Sequence, residues 1–251
     1  MSDRYDTRYD QPQRLYPDAA GRDVAGRDVA GFDAGLRKHM LSVYNYMTSG
    51  VLLTGIVALL FAQSGMAREI MFGPGILKYL IMFSPLIFIL VLSFGINRLS
   101  TGATQALYWA FAVVMGLSMS TIFLVFTGGS IATTFFATAA AFASLSLYGY
   151  TTKRDLSGMG TFLIMGVVGL IVASLLNLFL QSPAMMYAIS AIGVLIFAGL
   201  TVYDTQRIKQ IYYEVRGTEF IGKAAIMGAL SLYLDFVNMF QFLLSFMGNR
   251  E

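Results

Sequence analysis

The chain has no cysteine in its 251 residues. That excludes a disulfide framework, a thiol nucleophile and a thiolate metal site. Its one histidine, His39, excludes a histidine-built metal centre, and it leaves Ser118 and the other serines of the apolar runs without a histidine to activate them. Charge is scarce: 12% of residues are charged, where a soluble domain carries roughly a quarter. Prolines number five, so few breakers interrupt the apolar runs; Pro85 lies well inside one and is expected to kink it. The first 40 residues are polar, which does not fit a cleavable signal peptide. What the chain has in quantity is apolar sequence, 57% of it. Runs of about 20 apolar residues recur along most of its length, as in a polytopic helical membrane protein.

Two domains are expected. Residues 1–38 read as a disordered cytoplasmic tail with a tandem AGRDV repeat. Its arginines are matched by aspartates, which argues against nucleic-acid binding. Residues 39–251 read as a seven-helix transmembrane domain, with spans at 41–63, 78–96, 104–126, 131–150, 158–180, 184–203 and 224–246. No glycine or proline stops the sixth span after Tyr203, so its helix should continue through residues 204–211. The short loops at 127–130 and 181–183 require antiparallel neighbours. Fourteen of the 17 Lys and Arg residues fall on the side of the tail. The positive-inside rule then makes the N-terminus cytoplasmic and the C-terminus external, and the lack of cysteine and the brevity of the chain suggest an inner membrane. Small residues at packing spacing, including Gly50, Gly55, Gly166, Gly169, Gly193 and Gly199, suit close helix approach.

Two aspartates stand out in the last hairpin. Asp204 sits in the sixth apolar segment and Asp235 in the seventh, and the point midway between them falls between Glu219 and Phe220, inside the polar turn 216–223. In an antiparallel hairpin they lie level. Asp235 is about eleven residues, or ~16 Å, inside its span. An intramembrane acid marks a functional site by default. Two such acids side by side tend to share a proton and titrate as a pair. Asn238, three residues past Asp235, lies on the same helical face and is a candidate hydrogen-bond partner, as are Tyr203 and Tyr233. Arg98, ending the second span on the same side, is at a height to latch Asp204; Arg207, at i+3, is the alternative ion partner.

The segments GLTVYDTQRIK (199–209) and GALSLYLDFVNMFQFLL (228–244) closely resemble the Bax inhibitor-1 family, also called the transmembrane Bax inhibitor motif family. The resemblance runs from about residue 41 to 246 and leaves out the tail. It implies an all-α membrane protein of seven transmembrane helices, with the last helix central and the other six around it. It also implies a calcium leak gated by pH, with Asp204 and Asp235 as sensor and Arg98 as latch. The basic C-terminal extension of animal members has no counterpart here.

The expected function is therefore a pH-regulated calcium leak with Asp204, Asp235, Arg98 and Asn238 on the ion pathway. Calcium is the permeant ion, held weakly and transiently by Asp204 and Asp235, because two carboxylates are far from the six to eight oxygens of a tight site. No cofactor and no enzymatic activity are expected, and the partners are the bilayer, calcium and protons. An aspartyl protease of presenilin type requires Gly-x-Gly-Asp on the later helix, where this chain has Leu232-Tyr233-Leu234-Asp235. A proton-coupled transporter lacks support from any inverted repeat with matched broken helices. The resemblance also implies an alternative, a regulatory protein that modulates a membrane-bound AAA protease or a stress response.

Overall fold

A computed structural model describes the backbone of residues 19–250 and the side chains of residues 34–250. The chain divides into two units, Met1–Lys38 and His39–Glu251. In the first, the backbone is helical from Ala19, and residues 1–18 of the expected disordered tail lie outside the described residues.

Nine helices occur among the described residues: α1 (Ala19–Gln63), α2 (Met66–Phe72), α3 (Leu77–Gly95), α4 (Thr101–Met119), α5 (Ile122–Val125), α6 (Gly128–Thr151), α7 (Ser157–Leu180), α8 (Pro183–Val215) and α9 (Ile221–Met247). Among the described residues, seven segments are long and apolar enough to cross a membrane: Ala34–Gln63, Leu77–Gly95, Thr101–Val125, Gly128–Thr151, Ser157–Leu180, Pro183–Val215 and Ile221–Met247. The chain is an integral membrane protein, with the seven spans read from its sequence. As expected, α8 runs on past Tyr203, reaching Val215.

Two details differ from the sequence reading. The first polar connection contains its own short helix, α2. The third span is broken into α4 and α5 at Ser120 and Thr121. There the Ser120 hydroxyl donates to Leu117 O at 2.8 Å, so a side chain takes up a carbonyl of the last turn of α4. The turn into α8 is built locally. Gln181 adopts the left-handed conformation (φ 47°), Asn177 Oδ1 accepts from Ser182 N–H at 3.0 Å, and Pro183 opens the helix where its missing N–H costs nothing.

The last helix is the core of the bundle. In its most apolar stretch 61% of residues are buried, against 11–33% in the other spans. It packs on α8, α6 and α4. Phe236 meets Phe135 and Phe142 of α6 edge-on, each with ring centroids 5.6 Å apart. Tyr233 meets Phe111 of α4 at 5.1 Å. The hydroxyl of Thr54, on α1, reaches Tyr233 as well. The two remaining spans, α3 and α7, face α9 across a cavity.

Glycines make several of the closest contacts. A methyl on Gly149 of α6 would overlap the Val202 carbonyl oxygen of α8, and one on Gly116 of α4 would lie 2.7 Å from Thr54 O. Of the glycines singled out in the sequence, Gly50, Gly166, Gly193 and Gly199 face a neighbouring side chain, whereas Gly55 and Gly169 have nothing within 4 Å.

Candidate functional site

The motif Tyr203-Asp204-Thr205-Gln206 sits on α8, and each residue faces a different partner. The Tyr203 ring lies over Gly160 of α7. Thr205 faces α6, where a directional chain of hydroxyls is fixed by its end. Thr205 donates to Thr201 O at 2.7 Å, so Ser146 donates to Thr205 Oγ1 at 3.0 Å and Tyr44 of α1 donates to Ser146 Oγ at 2.6 Å. Gln206 holds the α6–α7 connection with both ends of its amide. Its Nε2 donates to Arg154 O at 2.8 Å, and its Oε1 accepts from Leu156 N–H at 3.0 Å. Asp204 alone of the four lines the cavity.

That cavity encloses about 1000 Å³. Asp204 and Asp235 both line it, in keeping with the level geometry of the hairpin. Asp235 is 3% exposed. Its Oδ2 is buried with no hydrogen-bond partner among the described residues. A buried polar atom without a partner is expensive and calls for an explanation such as an ion, a water or a ligand. On α9 the polar residues Ser231, Asp235, Asn238, Gln241 and Ser245 all line the cavity. Their spacing of three and four places them in one stripe along the helix.

The two ends of the bundle differ. Below Ser231, Gly228 packs against Ile208 with little room, and Lys223 Nζ donates to Ile96 O at 3.1 Å, tying the α8–α9 turn to the end of α3. At the other end, Ser245 also lines a polar pocket of about 590 Å³ with Gln181, Asn249 and Arg250. There the chain after α9 is pinned: Thr127 N–H donates to Asn249 O at 3.1 Å and Asn249 N–H to Ser130 Oγ at 2.9 Å.

Three expectations for this site are corrected. Asn238 lines the cavity, but its Nδ2 donates to Leu234 O at 2.8 Å, one turn back along α9, and not to Asp235. Tyr233 bonds Thr54 and Tyr203 packs on Gly160, so neither serves the aspartates. Arg98 is exposed in the turn after α3 and is not among the residues lining the cavity. Arg207, the alternative ion partner, is three residues along the same helix and exposed, with its charge outside the cavity lining.

A family model described as "Inhibitor of apoptosis-promoting Bax1" matches residues 36–251. The chain belongs to the Bax inhibitor-1 family. Among its relatives, a protein of Caulobacter vibrioides is 47% identical over 229 residues, covering 87% of this chain and 92% of the relative. The Escherichia coli protein named Inner membrane protein YbhL is 46% identical over 220 residues, covering 87% of this chain and 94% of the relative. A Rickettsia prowazekii protein, RP147, is 46% identical over 220 residues, covering 88% and 93%.

In this Bax inhibitor-1 family chain, sequence reasoning missed Thr205, Gln206 and Lys209. Lys209 Nζ donates to Tyr150 O at the end of α6 and sits 4.9 Å from the Tyr150 ring centroid. A lysine three residues past a glutamine in an apolar segment is a signal of sorts, because such groups stay buried only with partners. The polar stripe on α9 was legible too, as polar residues at helical spacing in an otherwise apolar span.

Proposed function

We propose that the protein is a pH-regulated calcium leak of the bacterial inner membrane, with Asp204 and Asp235 as a coupled carboxyl pair on the ion pathway. The observation that carries this is Asp235, a carboxylate only 3% exposed whose Oδ2 has no hydrogen-bond partner among the described residues, lining a large cavity together with a second acid. The stripe of Asn238, Gln241 and Ser245 supplies neutral oxygens along the same wall. Such a set binds a divalent cation loosely, and loose binding suits passage better than storage. One proton shared by the pair weakens its attraction for a cation, so protons regulate the flux. Arg98 would act as a latch only in a conformation that carries it to Asp204. The excess of basic residues at the end of the α8–α9 turn supports a cytoplasmic N-terminus and an external C-terminus. The printed name of the E. coli relative supports the inner membrane.

The test is calcium flux into liposomes carrying the purified protein, between about pH 6 and pH 8, for wild type, Asp204→Asn and Asp235→Asn. The proposal expects flux that depends on pH in wild type and loses that dependence in either variant. Absence of flux at every pH would reject it and turn attention to a protein partner such as a membrane-bound AAA protease.

A further inference from the structure

The cavity has a wall that an ion path does not need. Met82, Phe83 and Leu86 of α3 and Ile171, Leu175 and Leu178 of α7 line it, and all six are exposed. The two helices belong to different pairs, α3 packing on α4 and α7 on α8. With those six side chains exposed at membrane depth and α3 and α7 not among the packed helix pairs, the space between the two helices faces the bilayer. At its back stand the two acids. The site thus joins an apolar, lipid-accessible flank to a buried carboxylate oxygen that lacks a partner.

That combination has a chemical complement. An alkyl chain covers the α3 and α7 side chains, and a primary ammonium offers three donors to the back wall. The acceptors on that wall are the carboxylates of Asp235 and Asp204 and the side-chain oxygen of Asn238, whose amide nitrogen donates to Leu234 O. The cavity lining contains no Lys, Arg or His. A phosphate would find no cation there and would face two carboxylates, so a zwitterionic phospholipid fits poorly. A pair sharing one proton carries one negative charge, matched by one ammonium.

We infer that this cavity binds a long-chain primary amine, which enters from the bilayer between α3 and α7 and places its ammonium at Asp235. The inference rests on the acids lining a laterally open cavity, and not on calcium passing through it. Such an amphiphile occupies the ion pathway and blocks it.

The absence of cysteine makes a site-specific test available. Ser174 lines the cavity on α7, and Ser174→Cys gives the full-length protein a single thiol there. Its reaction rate with a neutral reagent, methyl methanethiosulfonate, is measured in phosphatidylcholine nanodiscs with added hexadecylamine, hexadecanol or palmitate. All three enter the bilayer; only the amine carries a positive charge. The expected result is protection by hexadecylamine at concentrations about tenfold lower than by the other two, and loss of that preference in Ser174→Cys/Asp235→Asn. Equal protection by all three chains would mean apolar partitioning only and would overturn the inference, as would no protection at all. The comparison of chains needs only the Ser174→Cys protein, so a folding defect in the double variant leaves the test intact. Calcium flux measured on the same preparation separates the two proposals, since flux without amine protection removes the amine site and keeps the leak.

Discussion

The hydroxyls of Thr54 and Tyr233 meet at 2.7 Å, on the side of α9 opposite Asp235. Thr54 spends its proton on Ala112 O at 2.8 Å, so Tyr233 is the donor to Thr54 Oγ1. Residues two apart on a helix point about 200° from one another. With Tyr233 between α1 and α4, Asp235 therefore lies on the opposite side, in the cavity between α8, α7 and α3.

Thr54→Val tests that bond. It removes the acceptor for a fully buried tyrosine hydroxyl and leaves that group unpaired, which costs about 1–3 kcal/mol. Tyr233→Phe removes the donor and leaves Thr54 still bonded to Ala112 O, so it should cost less, about 1 kcal/mol. Thermal unfolding of the purified protein in detergent reads both. A Thr54→Val midpoint equal to wild type would show that the bond contributes nothing.

The ion partner of Asp204 is testable by charge removal. Arg207→Gln should move the midpoint of the flux–pH profile if the charge one turn along α8 from Asp204 sets the field at that carboxyl. Arg98→Gln should leave it in place, because Arg98 is exposed in its turn. The reverse pattern would restore Arg98 as the latch.

Close packing of α6 on α8 predicts a sharp contrast between two glycines. Gly149→Ala drives a methyl into the Val202 carbonyl, where only backbone movement relieves it, and should cost about 1–3 kcal/mol. Gly169→Ala meets open space and should be neutral or gain up to about 1 kcal/mol from helix propensity. Unfolding midpoints of the two variants that coincide would contradict the contact.

Asp155 predicts a pH-dependent effect outside the spans. Its Oδ1 accepts from Ser157 N–H at 2.9 Å and from Ser157 Oγ at 2.6 Å, at the start of α7. These bonds hold the carboxyl below the usual carboxylate range. A depressed folded value contributes stability that is present above the unfolded value, about pH 4, and is lost as pH falls through the folded one. The deficit of Asp155→Ala relative to wild type should therefore be present at neutral pH and vanish in strong acid. A deficit unchanged by acid would assign it to something other than the carboxylate.

The hairpin geometry was legible because it depends only on two continuous helices and a turn, and residue counting then puts Asp204 and Asp235 level. Seven spans and a buried last helix followed from apolar runs and from the family resemblance. The reach of Arg98 was not legible: height along the membrane says nothing about which way a side chain at a helix end extends. Asn238 was misread because an asparagine inside a helix can bond the carbonyl four residues back, a choice that spacing does not reveal. The break at Ser120 has the same origin, a hydroxyl competing for a backbone group. Gln206 and the connection it holds are 50 residues apart in the chain, so only the fold joins them.

The cavity also has an electrical consequence. Its polar stripe runs from the pocket at Ser245 to Asp235, and the electrical consequence holds in the open, hydrated state that an ion leak would require, without an amphiphile in the cavity. Water carries the potential of one face inward with little drop. The membrane voltage then falls mainly across the packed layer from Asp204 and Asp235 to the α8–α9 turn, where Gly228 meets Ile208. A charge crossing that layer moves through most of the field in a fraction of the membrane's thickness, at about 2.3 kcal/mol per 100 mV for the full drop.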